Sequence, residues 1–305
     1  MKDAYDDADA ASLYFTVNDT KLHTYLLGDP NNPPLVMLHG MQDLSGSLLP
    51  VARKLSERYS VWLPDLRGHG RSVRPGTYSM SAFVYDVYAL ISTQLKQPAA
   101  LFGHSLGGQI CVRVAALFSE LVTAAVIVEG LGPSAAAMAA RSRKNINLEQ
   151  EAARLKGVYG HQPRPLPNIN AAARKLVANN PRLGDARARA IASIATESRP
   201  DGTLAWAFDS LVRAVFIGSE DAPKYWPQVP CPVLLVAGNH AHEYWTRATG
   251  LACADGGDFE PGELRSRQQI FPNAELVEFA GSGHMVHFDE PERLANVSFE
   301  FLCRI

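Results

Sequence analysis

The segment Ala99–Gly108, AALFGHSLGG, constrains the fold more than any other part of the chain. A short apolar run leads into Gly-x-Ser-x-Gly, and a helix-like pattern follows. A serine in so tight a strand-to-helix turn cannot pack inward, and Gly103 and Gly107 remove the Cβ atoms that would clash there. The segment predicts a nucleophile elbow, in which Oγ of Ser105 is presented to a ligand beside the unpaired N–H groups of a helix N-terminus.

Short apolar runs bounded by Gly, Pro, Asn or Asp alternate with helical patterns over most of the chain. This alternation predicts an α/β fold with a mostly parallel twisted sheet of about eight strands, flanked by helices on both faces. We expect the first two strands to pair antiparallel. The predicted strands are Ser12–Val17, Leu22–Leu27, Leu35–Leu38, Ser60–Leu63, Ala99–Phe102, Ala124–Val128, Val233–Ala237 and Glu275–Phe279. The predicted helices are Leu48–Arg58, Ser81–Leu95, Leu106–Phe118, Gly262–Ile270 and Pro291–Leu302.

The alternation stops between Leu131 and Gln228, where the sequence is rich in alanine and arginine and has helical patterns. A structureless connection of that length is improbable, so the segment predicts a helical lid inserted between the sixth and seventh strands of the sheet. Residues 1–130 and 229–305 would then form the core, and residues 131–228 the lid.

Composition excludes several classes of partner. The net charge is −2, with 20% charged residues and no basic stripe, so a nucleic-acid partner is not expected. No apolar run approaches the roughly 20 residues of a membrane span. The four cysteines are scattered without Cys-x-x-Cys spacing, which disfavours a zinc site or a disulfide framework. We expect a cytoplasmic protein; the oligomeric state stays open.

Two further segments accompany the elbow. An apolar run ends in His39-Gly40-Met41, and Gly281-Ser282-Gly283-His284 follows the last predicted strand. With these motifs, and with the Asp65–Ser72 loop DLRGHGRS, the chain resembles the α/β-hydrolase superfamily. The resemblance covers essentially everything outside the lid. It implies the α/β-hydrolase fold and a triad in the chain order nucleophile, acid, histidine.

The resemblance assigns roles to particular residues. Ser105 would be the nucleophile, with His284 as the base that takes its proton and later returns it. Backbone N–H groups of Met41 and Leu106 would form the oxyanion hole. The competing interpretations are a helix N-cap for Ser105 and a loop residue without a catalytic task for His284. His287 is expected to lie outside the triad.

The acid departs from the common pattern of the family. Where the family usually has Gly-x-x-Asp, this chain has Gly238-Asn239-His240-Ala241, and an alanine cannot orient a histidine. Glu129 ends the sixth predicted strand, where a minority of the superfamily carries its acid. Its carboxylate should emerge at the carboxyl edge of the sheet. We therefore favour Glu129 as the acid and keep Glu243 as the alternative.

Other polar motifs carry less weight. The His240-x-His242 pair lacks further ligands at a diagnostic spacing, so no metal is expected, and no cofactor is implied. His39 and His104 adjoin glycine turns and are expected to be local hydrogen-bonding residues.

The predicted lid bears on the substrate. We expect most aromatic residues in or beside it to be packing anchors and some to line an apolar pocket. Such a pocket favours a small-molecule acyl or aryl substrate. These aromatic residues are Trp206, Phe208, Phe216, Tyr225, Trp226, Tyr244 and Trp245.

The sequence therefore predicts a serine hydrolase that cleaves a carboxylic ester or thioester through an acyl-serine intermediate. Hydrolysis of a carbon–carbon bond in a diketone-like substrate is the alternative among enzymes. A non-catalytic ligand-binding protein of the same fold is the alternative outside them, and the missing acid at Ala241 is its motivation.

Overall fold

A computed structural model describes residues 4–135, 148–216, 222–249 and 259–305. An eight-stranded sheet with the order β1-β2-β4-β3-β5-β6-β9-β10 forms its centre, and β7 pairs with β8 in a separate hairpin. The strands are β1 (Ala11–Val17), β2 (Thr20–Leu27), β3 (Pro34–Leu38), β4 (Ser60–Pro64), β5 (Ala99–His104), β6 (Val122–Val128), β7 (Thr196–Ser198), β8 (Leu204–Trp206), β9 (Val233–Gly238) and β10 (Ala274–Phe279).

The sheet matches the prediction in number of strands and in direction. β2 is antiparallel to both β1 and β4, whereas the pairs from β4 through β3 to β10 are parallel. β3 has β4 on one side and β5 on the other, so the chain order reverses there. At such a switch point the connections leave the sheet in opposite directions and open a crevice beyond the carboxyl ends of the strands. The residues that follow β3 and β5 meet in this crevice.

Helices cover both faces of the sheet. The α-helices are α1 (Leu49–Leu55), α2 (Met80–Ala89), α3 (Leu106–Leu117), α4 (Leu148–Tyr159), α5 (Ile169–Asn179), α6 (Asp185–Ile194), α7 (His242–Thr249), α8 (Glu263–Gln268), α9 (Val286–Asp289) and α10 (Pro291–Leu302). One buried cluster joins α2 and α3 to the sheet, and another joins α1 and α10 to its opposite face. Every residue of β3, β5 and β9 is buried, as expected for strands covered on both sides.

The predicted helix Ser81–Leu95 is not one regular α-helix. α2 ends at Ala89, and a π-helical stretch continues over Leu90–Leu95. It stops at Lys96, whose φ of 56° is left-handed and cannot continue a right-handed helix. Short 3₁₀ segments connect other elements at Ser45–Leu48, Ser119–Leu121, Ser210–Phe216, Ala222–Lys224 and Trp226–Gln228.

The described part of the segment between β6 and β9 adds no strand to the eight-stranded sheet. It contains α4, α5 and α6, and α5 and α6 pack around a third buried cluster with Leu183 and Phe288. It also contains the β7–β8 hairpin, which the sequence analysis did not predict. Two three-residue strands around a turn at Gly202 are too short to show an alternating pattern. Among the described helices, none is long and apolar enough to cross a bilayer.

Candidate active site

Ser105 lies in a strained turn between β5 and α3. Its φ of 50° and ψ of −111° are rarely adopted by residues other than glycine. The backbone N–H of Ser105 donates to the carbonyl of Val128 on the neighbouring strand at 2.9 Å. A Cβ added to Gly107 would lie 2.3 Å from the carbonyl oxygen of Leu38, so this approach of α3 to β3 requires glycine. The predicted elbow geometry is therefore present.

His284 lies between Ser105 and Glu129. Its Nε2 is 3.0 Å from Oγ of Ser105, and its Nδ1 is 3.0 Å from Oε2 of Glu129. All three residues are buried, with at most 7% of their surface exposed. In such a chain a proton can move from the hydroxyl to Nε2 while the carboxylate stabilises the resulting imidazolium.

Glu129 reaches His284 because of the backbone turn at the end of β6. Its φ is 52°, and its N–H donates to the carbonyl of Val236 on β9 at 2.9 Å. The second carboxylate oxygen, Oε1, accepts a 2.7 Å hydrogen bond from the N–H of Gly238. The carboxylate is thus held against the end of the adjacent strand, with one oxygen facing the imidazole.

Glu243, the alternative acid, forms an ion pair with Arg182 instead. Its two carboxylate oxygens accept hydrogen bonds of 2.7 and 2.9 Å from the guanidinium. Hydrogen bonding to Arg182 is the main reason why the pKa of Glu243 is lowered. The structure thus brings Glu129, and not Glu243, to the outer nitrogen of His284.

The loop that carries His284 is held from two sides. His104 donates from Nε2 to the carbonyl oxygen of His284 at 2.9 Å. The N–H of His240 donates to the carbonyl of Ser282 at 3.0 Å. A Cβ on Gly238 would lie 2.3 Å from the carbonyl oxygen of Gly283, so the loop rests directly on the end of β9.

Histidines shape the loop after β3, where Met41 lies. Nε2 of His39 accepts from the N–H of Leu66 at 3.0 Å, and its Nδ1 donates to the carbonyl of Gly40 at 2.7 Å. The predicted local hydrogen bonding is thus confirmed for His39, whereas the partner of His104 lies 180 positions away in the chain. The following turn is fixed by His69, whose Nε2 accepts from the N–H of Gln42 at 3.1 Å. Burial lowers the pKa of His69 to about 3, which keeps it a neutral acceptor.

One of the two predicted oxyanion-hole residues follows Ser105 in the chain, and the other follows Gly40, which packs close to Ser105. Leu106 is the first residue of α3, and the first N–H groups of a helix have no partner within it. Met41 follows Gly40, whose added Cβ would come within 3.4 Å of Cβ of Ser105. The loop of Met41 and the start of α3 therefore flank the serine.

An aromatic pair at the start of α7 covers His284. The ring of Tyr244 stacks on the imidazole with centroids 4.0 Å apart and planes 11° apart. Trp245 meets the same imidazole edge to face at 5.0 Å. Sequence reasoning named both residues but missed this contact. The available signal was their position just after Ala241, where the family's usual acid would stand.

The cleft beside His284 is more polar than the sequence suggests. Its lining includes Asn180, Arg182, His240 and Asp289. Mainly apolar side chains line a separate pocket behind Glu129 instead. Polar groups thus converge on the His284 side of the cleft, because the turn between α5 and α6 presents polar side chains there.

The remaining aromatic residues mostly pack, as predicted. Trp226 is 3% exposed and stacks on Phe271, with ring centroids 5.8 Å apart. Trp206 stacks on Phe208 at 6.1 Å. The side chain of Phe216 lies outside the described part of the structure.

The comparison with protein families agrees with this geometry. The model of the alpha/beta hydrolase family matches residues 35–297. The chain belongs to this family. An uncharacterized protein of Mycobacterium tuberculosis is 25% identical to the hydrolase over 279 residues, which cover 89% of this chain and 76% of that protein.

Solved structures share the fold of the hydrolase over nearly its whole length. The crystal structure of E-2-(acetamidomethylene)succinate hydrolase has a TM-score of 0.76 and 24% identity, covering 96% of this chain and 99% of that one. The thioesterase domain from the curacin biosynthetic pathway has a TM-score of 0.76 and 21% identity, covering 94% of this chain and 98% of that one. At these identities the similarity shows the fold alone.

Proposed function

We propose that this alpha/beta hydrolase is a serine hydrolase that cleaves a carboxylic ester or thioester through an acyl-serine intermediate. The observation that carries the proposal is the chain of two 3.0 Å contacts from Ser105 through His284 to Glu129. Ser105 attacks the carbonyl carbon as Nε2 of His284 takes its proton. The imidazolium then returns that proton to the leaving alkoxide or thiolate, and a water molecule activated by His284 hydrolyses the acyl-serine.

The oxyanion of each tetrahedral intermediate is stabilised in this proposal by the N–H groups of Met41 and Leu106. Support comes from the position of these residues beside Ser105 and from the helix N-terminus that Leu106 opens. Loss of one such donor typically costs about 10²–10³ in kcat.

The segment 131–228 is proposed to act as a lid. Asn179, Asn180 and Arg182 from this segment line the cleft beside His284, which supports a role in admitting or selecting the substrate. A cover over the triad also excludes water and strengthens electrostatic contacts beneath it.

The alternative of a non-catalytic binding protein was motivated by the lack of a carboxylate at Ala241. That motivation no longer holds, because the carboxylate of Glu129 lies beside His284. Carbon–carbon bond hydrolysis uses the same serine and histidine and stays an alternative. Assays with different substrates distinguish it from ester or thioester hydrolysis.

The test uses short p-nitrophenyl esters, acyl thioesters and a fluorophosphonate label. The proposal expects stoichiometric labelling of the wild type, turnover of an ester or thioester, and loss of both labelling and turnover in Ser105→Ala. Labelling that persists in a folded Ser105→Ala variant would refute the assignment of the nucleophile. Turnover of a vinylogous 1,5-diketone without any ester or thioester turnover would favour carbon–carbon bond cleavage.

A further inference from the structure

Three buried side chains that the proposed reaction does not use lie together next to the triad. Asp43, His104 and His287 are each at most 5% exposed. They come from the loop after β3, the end of β5 and α9. One potential ligand atom from each residue lies within 4.8 Å of the other two. Within the described residues, these three form the one group of His, Cys, Asp or Glu side chains close enough together to hold a metal ion.

His104 has one ring nitrogen without a hydrogen-bond partner. Because Nε2 donates its hydrogen to the carbonyl oxygen of His284, Nδ1 of the neutral ring is the deprotonated nitrogen with a free lone pair. This Nδ1 is buried and unpartnered.

The other two residues complete a set of donors. Nε2 of His287 is 3.1 Å from Oδ2 of Asp43, and the second ring nitrogen of His287, Nδ1, is also buried without a partner. The Asp43 carboxylate is held in place by the hydroxyl of Ser47 at 2.8 Å. Two imidazoles and one carboxylate are ligands that Zn²⁺ and similar first-row ions use in proteins.

We propose that Asp43, His104 and His287 form a binding site for a divalent transition-metal ion such as Zn²⁺. A tetrahedral Zn²⁺ with bonds of about 2.0–2.2 Å holds its ligand atoms about 3.3–3.5 Å apart. To hold the ion, the three ligand atoms would therefore approach one another by up to about 1.5 Å.

Occupancy of this site would inhibit the enzyme, a consequence that rests on the proposed function. Nε2 of His104 donates to the carbonyl oxygen of His284 at 2.9 Å, so the ring that binds the ion also holds the backbone of the loop that carries His284. A His104 ring that moves onto the ion therefore displaces the imidazole of His284 from Ser105 and slows acylation.

The binding test uses the full-length protein, freed of metal with a chelator and then titrated with Zn²⁺ in competition with a chromophoric chelator. We expect one tight site per chain, weakened at least about tenfold in Asp43→Asn and His287→Gln. His242→Gln, which breaks the surface His240-x-His242 pair, is the matched control and should keep that site. Equal affinity in wild type and a folded His287→Gln, or loss of the site in His242→Gln, would overturn the proposal.

A second measurement needs no variant. X-ray absorption spectra of the Zn²⁺-loaded wild type should show two imidazoles and a carboxylate oxygen as protein ligands. A single imidazole or a thiolate ligand would overturn the proposal.

The activity test separates this site from the proposed function. Zn²⁺ at the concentration that fills the site should reduce ester turnover several-fold in wild type, but not in His287→Gln measured against its own metal-free rate. A chain that binds the ion but never turns over an ester or thioester supports the site and refutes the proposed function. A chain that turns over esters but binds no ion supports the function and refutes the site.

Discussion

Ser105, the proposed nucleophile, has a backbone conformation that disfavours folding. For a residue other than glycine, a φ of 50° with a ψ of −111° costs about 1–3 kcal/mol. Glycine adopts positive φ without a Cβ clash, although it loses more chain entropy on folding. A serine at this position therefore supplies the hydroxyl but has to adopt a strained backbone conformation.

Ser105→Gly and Ser105→Ala separate these two effects. Both variants lack the hydroxyl and should lose turnover, but only the glycine relieves the strain. We expect the free energy of unfolding of Ser105→Gly to exceed that of Ser105→Ala by about 1 kcal/mol in urea titrations. A more stable alanine variant would mean that the turn is not strained.

Glu129, the proposed acid, gives a second prediction at the residue scale. Glu129→Gln keeps the volume and an acceptor for the N–H of Gly238 but cannot compensate an imidazolium at His284. We expect pre-steady-state acylation to slow by about 10²–10⁴, with a smaller effect on substrate binding. Glu243→Gln is the matched control and should leave acylation nearly unchanged. The opposite ranking would transfer the acid role to Glu243.

Sequence reasoning reached some residues of the site and missed others for a physical reason. Ser105 and His284 are flanked by glycines that a tight turn requires, and Glu129 ends an apolar run, so each carries a local signal. Asp43 and His287 meet across 244 positions of the chain. Nothing in the neighbourhood of either residue encodes that contact, because it depends on how β3 and the last helices pack.

At the scale of elements, the segment between β6 and β9 contains parts of two different cores. Trp226 belongs to the buried cluster on the α2–α3 face of the sheet, with Val215 and Val229. Trp206 only packs at the edge of the cluster around α5 and α6. The end of the segment thus supports the sheet, while its middle supports mainly itself.

Two tryptophan variants test this division. Trp226→Ala removes a side chain that is 3% exposed and should lower the free energy of unfolding by about 3–5 kcal/mol. Trp206→Ala, at a partly exposed position, should cost less than half as much. Chemical denaturation of both variants provides the measurement, and similar losses would show that the two regions unfold as one core.

Burial explains which elements can be predicted from the sequence. β3, β5, β6 and β9 are buried apolar runs between turn residues, so composition alone marks them. The hairpin of β7 and β8 is stabilised by pairing with its neighbours, such as the bridge from Leu166 to Leu204. The π-helical stretch at Leu90–Leu95 keeps a helical apolar period, so its wider turn left no trace in the pattern.

At the scale of the whole molecule, Asp65 ties distant parts of the core together. Its carboxylate accepts hydrogen bonds from Nδ1 of His23 at 2.8 Å, from the hydroxyl of Ser45 at 2.6 Å and from the N–H of Arg71 at 3.0 Å. Burial alone would raise the pKa of Asp65, but these hydrogen bonds, together with the electrostatic attraction of His39, lower the pKa to about 2. Folding therefore favours the ionised carboxylate.

The contribution of Asp65 to folding stability depends on pH. Because the pKa of Asp65 is lower in the folded chain than its ordinary value of 3.8, its contribution is complete above about pH 4 and is lost as the pH falls towards 2. We expect the stability difference between wild type and Asp65→Asn to shrink over that window in thermal melts. Asp19→Asn, at an exposed turn, should show no such trend. A constant difference would mean that Asp65 titrates alike in both states.

In the proposed triad the carboxylate comes from the end of β6, so the turn after β9 does not have to carry a charge for the imidazole. That turn and the start of α7 present His240, Glu243 and Tyr244 to the cleft. Libraries randomised at His240 and Glu243 could therefore reshape substrate preference without touching any side chain proposed for catalysis.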